Sequence, residues 1–388
     1  MISRRHILSS IIGATAILKT PSKAWGIPDD SKQIITMGLT PAPQLLTSAL
    51  STGGAEQVIS PKISDGLFTY DYELNPVPLL ASGYDISQDG LRIGINLRKD
   101  VFWHDGVQFT SRDIVFTCEN VWKVYHGRDR IIFANVIKAT SPSEDRVEFI
   151  LAAPAPALMS GLAAQQVQIL PAHIYENKDI LTNTANIKPI GNGPFIFDDY
   201  VPGDFLRLKK NHNYWQNKMP HIDELIFRFI PDASTRCAAL EAGEIQIFNQ
   251  SQIPYTDIPR FQDTGRFTVT RKGYDFQNEI SMIEFNMDDP IVGNKIVRQA
   301  FAYAIDKEWI KKNIFFDWGD IAKTPIHPAV KKFYNPEGVK NYDFNREKAE
   351  KLSDSAGYFR DFRGKRFSMT LDPLPYGDEM FLVAQYIK

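Results

Sequence analysis

The chain has 388 residues, of which 44 are Lys or Arg and 46 are Asp or Glu, so its formal net charge is −2. This balance lacks the excess of positive charge that marks a nucleic-acid-binding surface. The length is enough for two or more domains, and beyond the N-terminal region no apolar run approaches the roughly 20 residues of a membrane-spanning helix.

The N-terminal region is typical of an export signal. Arg4 and Arg5 precede an apolar stretch over residues 7–18, and Ser22 and Ala24 have the small side chains that signal peptidase requires. The arginine pair resembles the twin-arginine signal, and an ordinary secretory signal is the alternative. Removal of residues 1–24, which hold four basic and no acidic residues, would leave a net charge of −6.

The sequence contains two cysteines, Cys118 and Cys237. Both lie in stretches with helical spacing, which favours two small buried hydrophobic residues, and a disulfide between them is the alternative. Neither lies at the predicted cleavage point, so we expect an exported protein without a lipid anchor. Such a protein is retained only behind an outer membrane, which indicates the periplasm of a Gram-negative cell.

The middle of the chain alternates irregularly between strand and helix patterns, which indicates a mixed α/β fold. Residues 91–97 alternate apolar and polar side chains, as a half-buried strand does. Thr110 and Asp113 have the spacing of a capping box, and the helix behind them carries an apolar face. Residues 205–208 and 225–229 are predicted to be further strands.

Helices are predicted in the second half from their caps and apolar spacing. Asp232 begins a helix that Gly243 ends, and a longer helix runs from about Asn294 to Asn313. Asn345 begins another, closed by Gly357. Residues 380–387 also have helical spacing. Linker-like stretches occur at 189–194 and 271–278.

We find no motif for catalysis, phosphate binding or metal binding. The chain lacks G-x-S-x-G, H-E-x-x-H and G-x-x-x-x-G-K patterns, and its seven histidines are scattered. His104 and Asp105 are adjacent, so on a strand end they point to opposite faces and do not share one proton. The loop at Gly191 and Gly193 lacks the third glycine of a nucleotide site. We therefore expect no enzyme activity, no cofactor and no metal.

Several segments in order resemble one family, the large bacterial extracellular solute-binding proteins for oligopeptides, dipeptides and nickel. The segments are LRKDVFWHDG at 97–106, LPAH at 170–173, PIGNGPF at 189–195, PGD at 202–204, KNHNYW at 210–215, PDASTR at 231–236, FN at 285–286 and VRQAFAYAIDK at 297–307. The resemblance covers nearly the whole mature chain in order and spacing. Asn192, where Thr is common, and Gln246, where Asp is usual, depart from the family pattern.

The resemblance implies a type II periplasmic binding protein of the large peptide-binding class, with two lobes and an extra insertion subdomain. Residues 33–57 and 189–277 would form lobe I, 58–188 its insertion subdomain and 278–388 lobe II. The family pattern continues beyond Lys388, so we expect lobe II to be C-terminally incomplete. The chain as given is then expected to bind ligand poorly, since the acidic residue that holds a peptide's amino terminus has no counterpart here.

The resemblance also implies a function, a partner and candidate site residues. We expect a monomer that captures peptides or peptide-like solutes by hinge closure and delivers them to an ABC permease. Nickel, haem, opine or oligosaccharide ligands and an envelope hydrolase remain alternatives. The candidate ligand contacts are Thr40, Pro41, Ala42, Gln44, Leu46, Trp103, Phe285 and Asn286, with core packing as the alternative for Trp103 and Phe285. Gly191 and Gly193 are predicted to have positive φ angles and to serve a lobe crossover.

Overall fold

The computed structural model describes residues 32–164, 167–248, 252–270, 280–328, 330–331, 333–374 and 377–388. The predicted export signal with Arg4 and Arg5, and the linker-like stretch 271–278, lie outside the described residues. In the part of the chain that the structure describes, no helix combines the length and apolar character needed to cross a membrane.

The regular elements confirm a mixed α/β fold. The strands are β1 (Ile34–Leu39), β2 (Phe68–Tyr70), β3 (Pro76–Pro78), β4 (Ala81–Ile86), β5 (Arg92–Leu97), β6 (Val136–Ser143), β7 (Arg146–Leu151), β8 (Phe195–Val201), β9 (Phe205–Lys210), β10 (Glu224–Phe229) and β11 (Ile247–Phe248). The α-helices are α1 (Gly54–Ile63), α2 (Ser111–Thr117), α3 (Gly127–Ile132), α4 (Ala157–Gly161), α5 (Ala172–Tyr175), α6 (Ala233–Ala242), α7 (Ile258–Asp263), α8 (Lys295–Ala304), α9 (Lys307–Asn313), α10 (Arg346–Ser355) and α11 (Asp378–Ile387).

The first sheet joins two distant parts of the chain. Its order is β11-β1-β10-β9-β8, with β1 parallel to both β10 and β11 and the remaining pairs antiparallel. Helix α1 packs on this sheet, where Ile59 and Ile63 share a buried cluster with Leu206, Leu208 and Phe227. Since β1 lies inside the sheet, its carboxyl end is flanked by the ends of two parallel neighbours.

The second sheet is formed within residues 81–151. It is antiparallel, in the order β4-β5-β7-β6, and β2 and β3 form a separate hairpin. Strand β7 shows the alternation that a half-buried strand requires, because Val147, Phe149 and Leu151 are buried and the residues between them are partly exposed. These side chains pack with Trp103 and Trp122 in the largest buried cluster of the described residues.

Most predicted caps are confirmed. The Thr110 and Asp113 side chains form a capping box at α2, and Asp232 accepts from the backbone N–H of Thr235 at the start of α6. Gly243 ends α6 with φ of 79°. Asn345 caps α10 by accepting from the backbone N–H of Lys348. Polar side chains at helix starts are a local signal, which explains why they are readable from sequence.

The predicted helix from Asn294 to Asn313 is wrong in one respect, because it is two helices. Ile305 has an extended backbone between α8 and α9. Asp306 then accepts a hydrogen bond from the N–H of Trp309 and caps α9. An Asp side chain inside an apolar helical pattern can compete for backbone N–H groups in this way, and here it begins a new helix.

Both cysteines are free and buried, as the hydrophobic interpretation predicts. Cys118 lies in the cluster around the second sheet, whereas Cys237 packs with Leu240 and Phe261 in another. Burial raises the pKa of the Cys118 thiol to about 12. The thiol is therefore protonated at neutral pH, and the disulfide alternative has no support in the structure.

Candidate ligand-binding site

The candidate site lies at the carboxyl edge of the first sheet. Residues 40–44 follow directly after β1, and the neighbouring strands β10 and β11 end beside it at Phe229 and Phe248. In open α/β sheets, ligands bind outside the carboxyl ends of parallel strands, because the loops that leave them converge there. The topology thus places the predicted ligand loop at the edge of the sheet where a solute would bind.

Hydrogen bonds from three separate elements fix the loop 40–45. The Gln252 side chain donates to the carbonyl oxygen of Thr40 at 3.0 Å, and the Tyr200 hydroxyl donates to that of Pro43 at 2.6 Å. The Glu56 carboxylate of α1 accepts from the backbone N–H of Gln44 at 3.2 Å. The loop is thereby held by contacts within the protein itself, and a loop that is already fixed loses less conformational entropy on binding a ligand.

The predicted contacts in this loop differ in exposure. Pro41 and Gln44 are exposed, and Thr40 and Ala42 are half-buried, so each of the four has accessible surface that a ligand can contact. Leu46 has none, since its side chain is fully buried in the cluster between α1 and the first sheet. The prediction of Leu46 as a ligand contact is wrong. Leucine is among the residues that are most often fully buried, and here the side chain packs into the core instead of facing the loop surface.

Trp103 is also a core residue, as its packing alternative predicts. Its side chain is 2% exposed, and its indole N–H donates to the Asp113 carboxylate at 3.2 Å. The same carboxylate accepts from the backbone N–H groups of Thr110 and Ala172. Burial raises the pKa of Asp113. Trp103 therefore anchors the second sheet and has no exposed surface for a ligand.

Phe285 and Asn286 lie in an irregular segment before α8. The Phe285 ring is half-buried, with its centroid 5.6 Å from that of Phe301 in α8. Asn286 is exposed, and its side chain accepts from the backbone N–H of Asp288. Phe285 thus has a packing partner and some remaining surface, and its role as a ligand contact stays a prediction.

Gly191 and Gly193 are required for a different reason from the one predicted. Neither has a positive φ, so the prediction of a left-handed backbone is wrong. A Cβ on Gly191 would instead lie 1.9 Å from the carbonyl oxygen of Ile63, and one on Gly193 would lie 2.8 Å from the carbonyl carbon of the same residue. Glycine is needed here because two backbones approach closely at the end of α1.

His104 binds this glycine loop. Its Nδ1 accepts from the backbone N–H of Gly191 at 3.2 Å, which leaves Nε2 as the donor to the carbonyl oxygen of Gly193 at 3.1 Å. Burial lowers the pKa of His104. The Asp105 carboxylate forms its hydrogen bond with Nε2 of His173 instead, with 2.7 Å between the two atoms. The adjacent pair therefore has two different partners, and His104 is a neutral structural link between the second sheet and the first.

Asp65 is a buried residue that sequence reasoning missed. Its Oδ2 accepts from the Tyr214 hydroxyl at 2.8 Å and from the Trp215 indole N–H at 2.9 Å, and its own N–H donates to the Asn192 side chain. Burial raises the pKa of Asp65 to about 6, and these two donors oppose the shift. The aromatic pair in KNHNYW was the available signal, because a buried Tyr or Trp needs an acceptor.

Among the described residues, no group of three or more His, Cys, Asp or Glu side chains is placed to hold a metal ion. Asn192, which stands where Thr is common, is buried and accepts from Asp65. Gln246, which stands where Asp is usual, accepts from the backbone N–H of Thr36 at 2.8 Å. The side-chain oxygens of both residues therefore accept hydrogen bonds within the fold, while the buried amide nitrogen of Asn192 has no partner among the described residues.

The model of the bacterial extracellular solute-binding proteins, family 5, middle region, matches residues 75–388. The chain belongs to this family. The match includes the second sheet, the strands β8 to β11 and the helices α2 to α11.

Three comparisons with individual proteins agree with the assignment. The chain is 28% identical over 376 residues to the oligopeptide-binding protein AppA of Bacillus subtilis, which covers 94% of this chain and 68% of that protein. The structure of AppA with a nonapeptide matches with a TM-score of 0.72 at 26% identity, over 87% of this chain and 68% of that one. NikZ of Campylobacter jejuni with Ni(L-His) matches with a TM-score of 0.75 at 28% identity, over 88% and 66%.

The dipeptide-binding protein of Escherichia coli is 27% identical over 395 residues, which covers 92% of this chain and 71% of that protein. The chain thus spans about two thirds of the length of the relatives described.

Proposed function

We propose that this protein is the substrate-binding component of an ABC importer, and that it captures peptides or peptide-like solutes. Membership of the solute-binding family carries the proposal. The similarity to AppA, whose structure holds a nonapeptide, favours a peptide over the other solutes. In this role the protein binds and releases its ligand without chemical change, so it is not an enzyme.

The loop after β1 supports this function. Gln44 and Pro41 are exposed while the backbone around them is held by Gln252, Tyr200 and Glu56. A fixed loop at a sheet edge offers backbone groups to an extended peptide, and backbone bonding gives affinity without selecting side chains. Water between ligand side chains and the cleft keeps that selectivity low. Thr40, Pro41, Ala42 and Gln44 are the contacts we propose in the first lobe.

Two rigid lobes that close on the ligand complete the mechanism. We assign residues 33–57 and 189–277 to lobe I, 58–188 to its insertion subdomain and 278–388 to lobe II. The first sheet is built from residues 34–39 and 195–248, which supports this division. Gly191 and Gly193 lie at the return from the insertion to lobe I, and Phe285 with Asn286 follows the crossover to lobe II. Hinge closure leaves each lobe rigid and creates a surface that a permease can recognise.

The protein is proposed to act in the periplasm as a monomer without a lipid anchor. Arg4 and Arg5 support export by the twin-arginine system, and residues 1–24 would then be removed. Its partners are the peptide ligand and the membrane permease of the importer.

Mass spectrometry of the small molecules released from the protein, purified from the periplasm of the cells that make it, tests this function. We expect short peptides of mixed sequence. Recovery of a nickel chelate, haem, an opine or an oligosaccharide in their place would assign another solute within the family. Turnover of a peptide on incubation, with new termini in the spectrum, would contradict the binding function and indicate a hydrolase.

A further inference from the structure

Helix α11 buries a charged residue and exposes apolar ones. Glu379 is 8% exposed, whereas Phe381 and Leu382 on the same helix are 47% exposed. Lys, Glu, Arg and Asp are rarely buried without a partner, because removing a charge from water is costly. The position of Glu379 therefore indicates a specific contact of α11 with another part of the molecule.

One partner of Glu379 lies in the segment 252–257, which follows β11 of the first sheet. The carboxylate accepts from its own backbone N–H and also from the backbone N–H of Tyr255, and the guanidinium of Arg236 in α6 adds a favourable electrostatic interaction. The Tyr255 ring also contacts Phe315, which follows α9, with 5.8 Å between ring centroids. One residue of this segment thus meets the C-terminal region through both its backbone and its side chain.

α11 and α9 also contact each other. The rings of Trp309 in α9 and Tyr386 in α11 are stacked, with centroids 4.1 Å apart and planes 6° from parallel. Glu379 and Phe315 are therefore carried by one packed pair of helices. Both contacts with Tyr255 consequently form or break together.

The same segment is bound to the ligand loop at its other end. Gln252 is 7% exposed, and its side chain donates to the carbonyl oxygen of Thr40 at 3.0 Å. Its own carbonyl oxygen accepts from Arg236 at 2.6 Å. Arg236 donates further to the carbonyl oxygens of Ile230 and Pro231, at the carboxyl end of β10. Arg236 therefore fixes the segment against the edge of the sheet where the ligand loop lies.

We propose that segment 252–257 is a relay between the lobes, which docks on Glu379 and Phe315 of the second lobe and positions Thr40 in the ligand loop of the first. The proposal rests on the proposed function, because it assumes two lobes that close on a ligand. It adds a physical link between the relative position of the lobes and ligand binding. In this arrangement, the docked relay restricts the relative motion of the lobes in the ligand-free protein. The Gln252 contact carries the same restriction to the ligand loop.

Distances between spin labels on the two lobes test the relay without any ligand. Labels are attached at His212→Cys in the first lobe and Lys312→Cys in the second, both exposed positions, while the native cysteines are buried. Glu379→Ala is expected to broaden the distance distribution and shift its mean. Asp372→Asn is the control, because it removes a carboxylate charge from an exposed position of the second lobe, and it should keep the wild-type distribution.

Glu379→Gln, which keeps an acceptor for the Tyr255 N–H, is used if the alanine variant does not fold, and it should broaden the distribution less. A wild-type distribution for a folded Glu379 variant would overturn the relay. Gln252→Ala tests the other end. It should leave the distance distribution unchanged and weaken binding of the peptides recovered from the periplasm at least several-fold. Unchanged affinity would contradict the link to Thr40. Failure to recover any ligand contradicts the proposed function but leaves the distance result valid.

Discussion

Trp215 donates its indole N–H to the buried carboxylate of Asp65 over 2.9 Å, and the neighbouring Tyr214 hydroxyl donates to the same oxygen. The guanidinium of Arg98 lies over the Trp215 ring, 4.3 Å from its centroid. Asp65 follows α1, whereas Trp215 follows β9 and Arg98 follows β5. These contacts therefore join the first sheet, its packed helix and the second sheet at one buried point.

Asp65→Asn is expected to change how stability depends on pH. The pKa of Asp65 is raised from 3.8 to about 6 in the folded protein, so between these values the folded state binds a proton that the unfolded state has lost. The free energy of unfolding therefore falls as pH rises from about 4 to 6, by up to about 3 kcal/mol from this group. The variant should lose this part of the slope, measured by urea unfolding at pH 4, 5, 6 and 7.

Asp100→Asn, which changes an exposed carboxylate, is the control for the Asp65 variant and should retain the slope. An identical pH dependence for Asp65→Asn and the wild type would contradict the assignment of a raised pKa to this carboxyl.

Gly191→Ala is expected to destabilise the protein by more than about 2 kcal/mol, because the added methyl would overlap the backbone at Ile63. Gly54→Ala, at the other end of α1, meets no atom within 4 Å and should be neutral or stabilising by up to about 1 kcal/mol. Thermal and urea unfolding of the two variants provide the comparison. Equal stability of the two would show that the close approach of the two backbones does not exist.

Asp113→Ala should cost far more than the usual loss of a helix cap. It would leave the Trp103 indole and the backbone N–H groups of Thr110 and Ala172 without their acceptor, at about 1–3 kcal/mol for each buried donor. Asp232→Ala removes a cap at an exposed helix start and should cost about 1 kcal/mol. Urea unfolding of both variants measures the two losses in free energy of unfolding. Similar losses would contradict the claim that the Asp113 carboxylate is the shared acceptor of three buried donors.

Replacing Arg4 and Arg5 together by Lys is expected to leave a precursor in the cytoplasm, because the twin-arginine system discriminates between these side chains. Fractionation and immunoblotting of the precursor and the mature form provide the measurement. Normal export of the double variant would assign the signal to the general secretory route.

Many helices and strands of the fold can be predicted from local sequence patterns. The caps at Asp232 and Asn345 and the alternation over residues 91–97 were readable because each depends on neighbouring residues alone. The break at Asp306 is not predicted, because apolar residues with helical spacing lie on both sides of it and indicate one continuous helix. The ordered family segments predicted the fold class, which single elements could not.

The candidate site was predicted less well, because it depends on contacts distant in sequence. Gln252 and Tyr200 fix the ligand loop from more than 150 residues away. Leu46 and Trp103 are candidate contacts because of their places in a chain that resembles the family, and such a place does not distinguish a cleft from a core. The sequence motif singles out Gly191, but glycine is required there because of a close backbone approach that only the fold reveals.

Calorimetric titration of the protein, isolated from the periplasm of its own cells and freed of ligand by reversible unfolding, tests the central claim most directly. Titration of the protein as its own cells make it, rather than of the 388-residue chain on its own, with a mixed pool of di- to hexapeptides should give saturable binding at micromolar or lower concentration, near −8 kcal/mol or stronger. Gln44→Ala should weaken it at unchanged stability, because Gln44 is exposed in the ligand loop. The absence of binding to any peptide, with saturable binding of a nickel complex, haem, an opine or an oligosaccharide, would contradict the account.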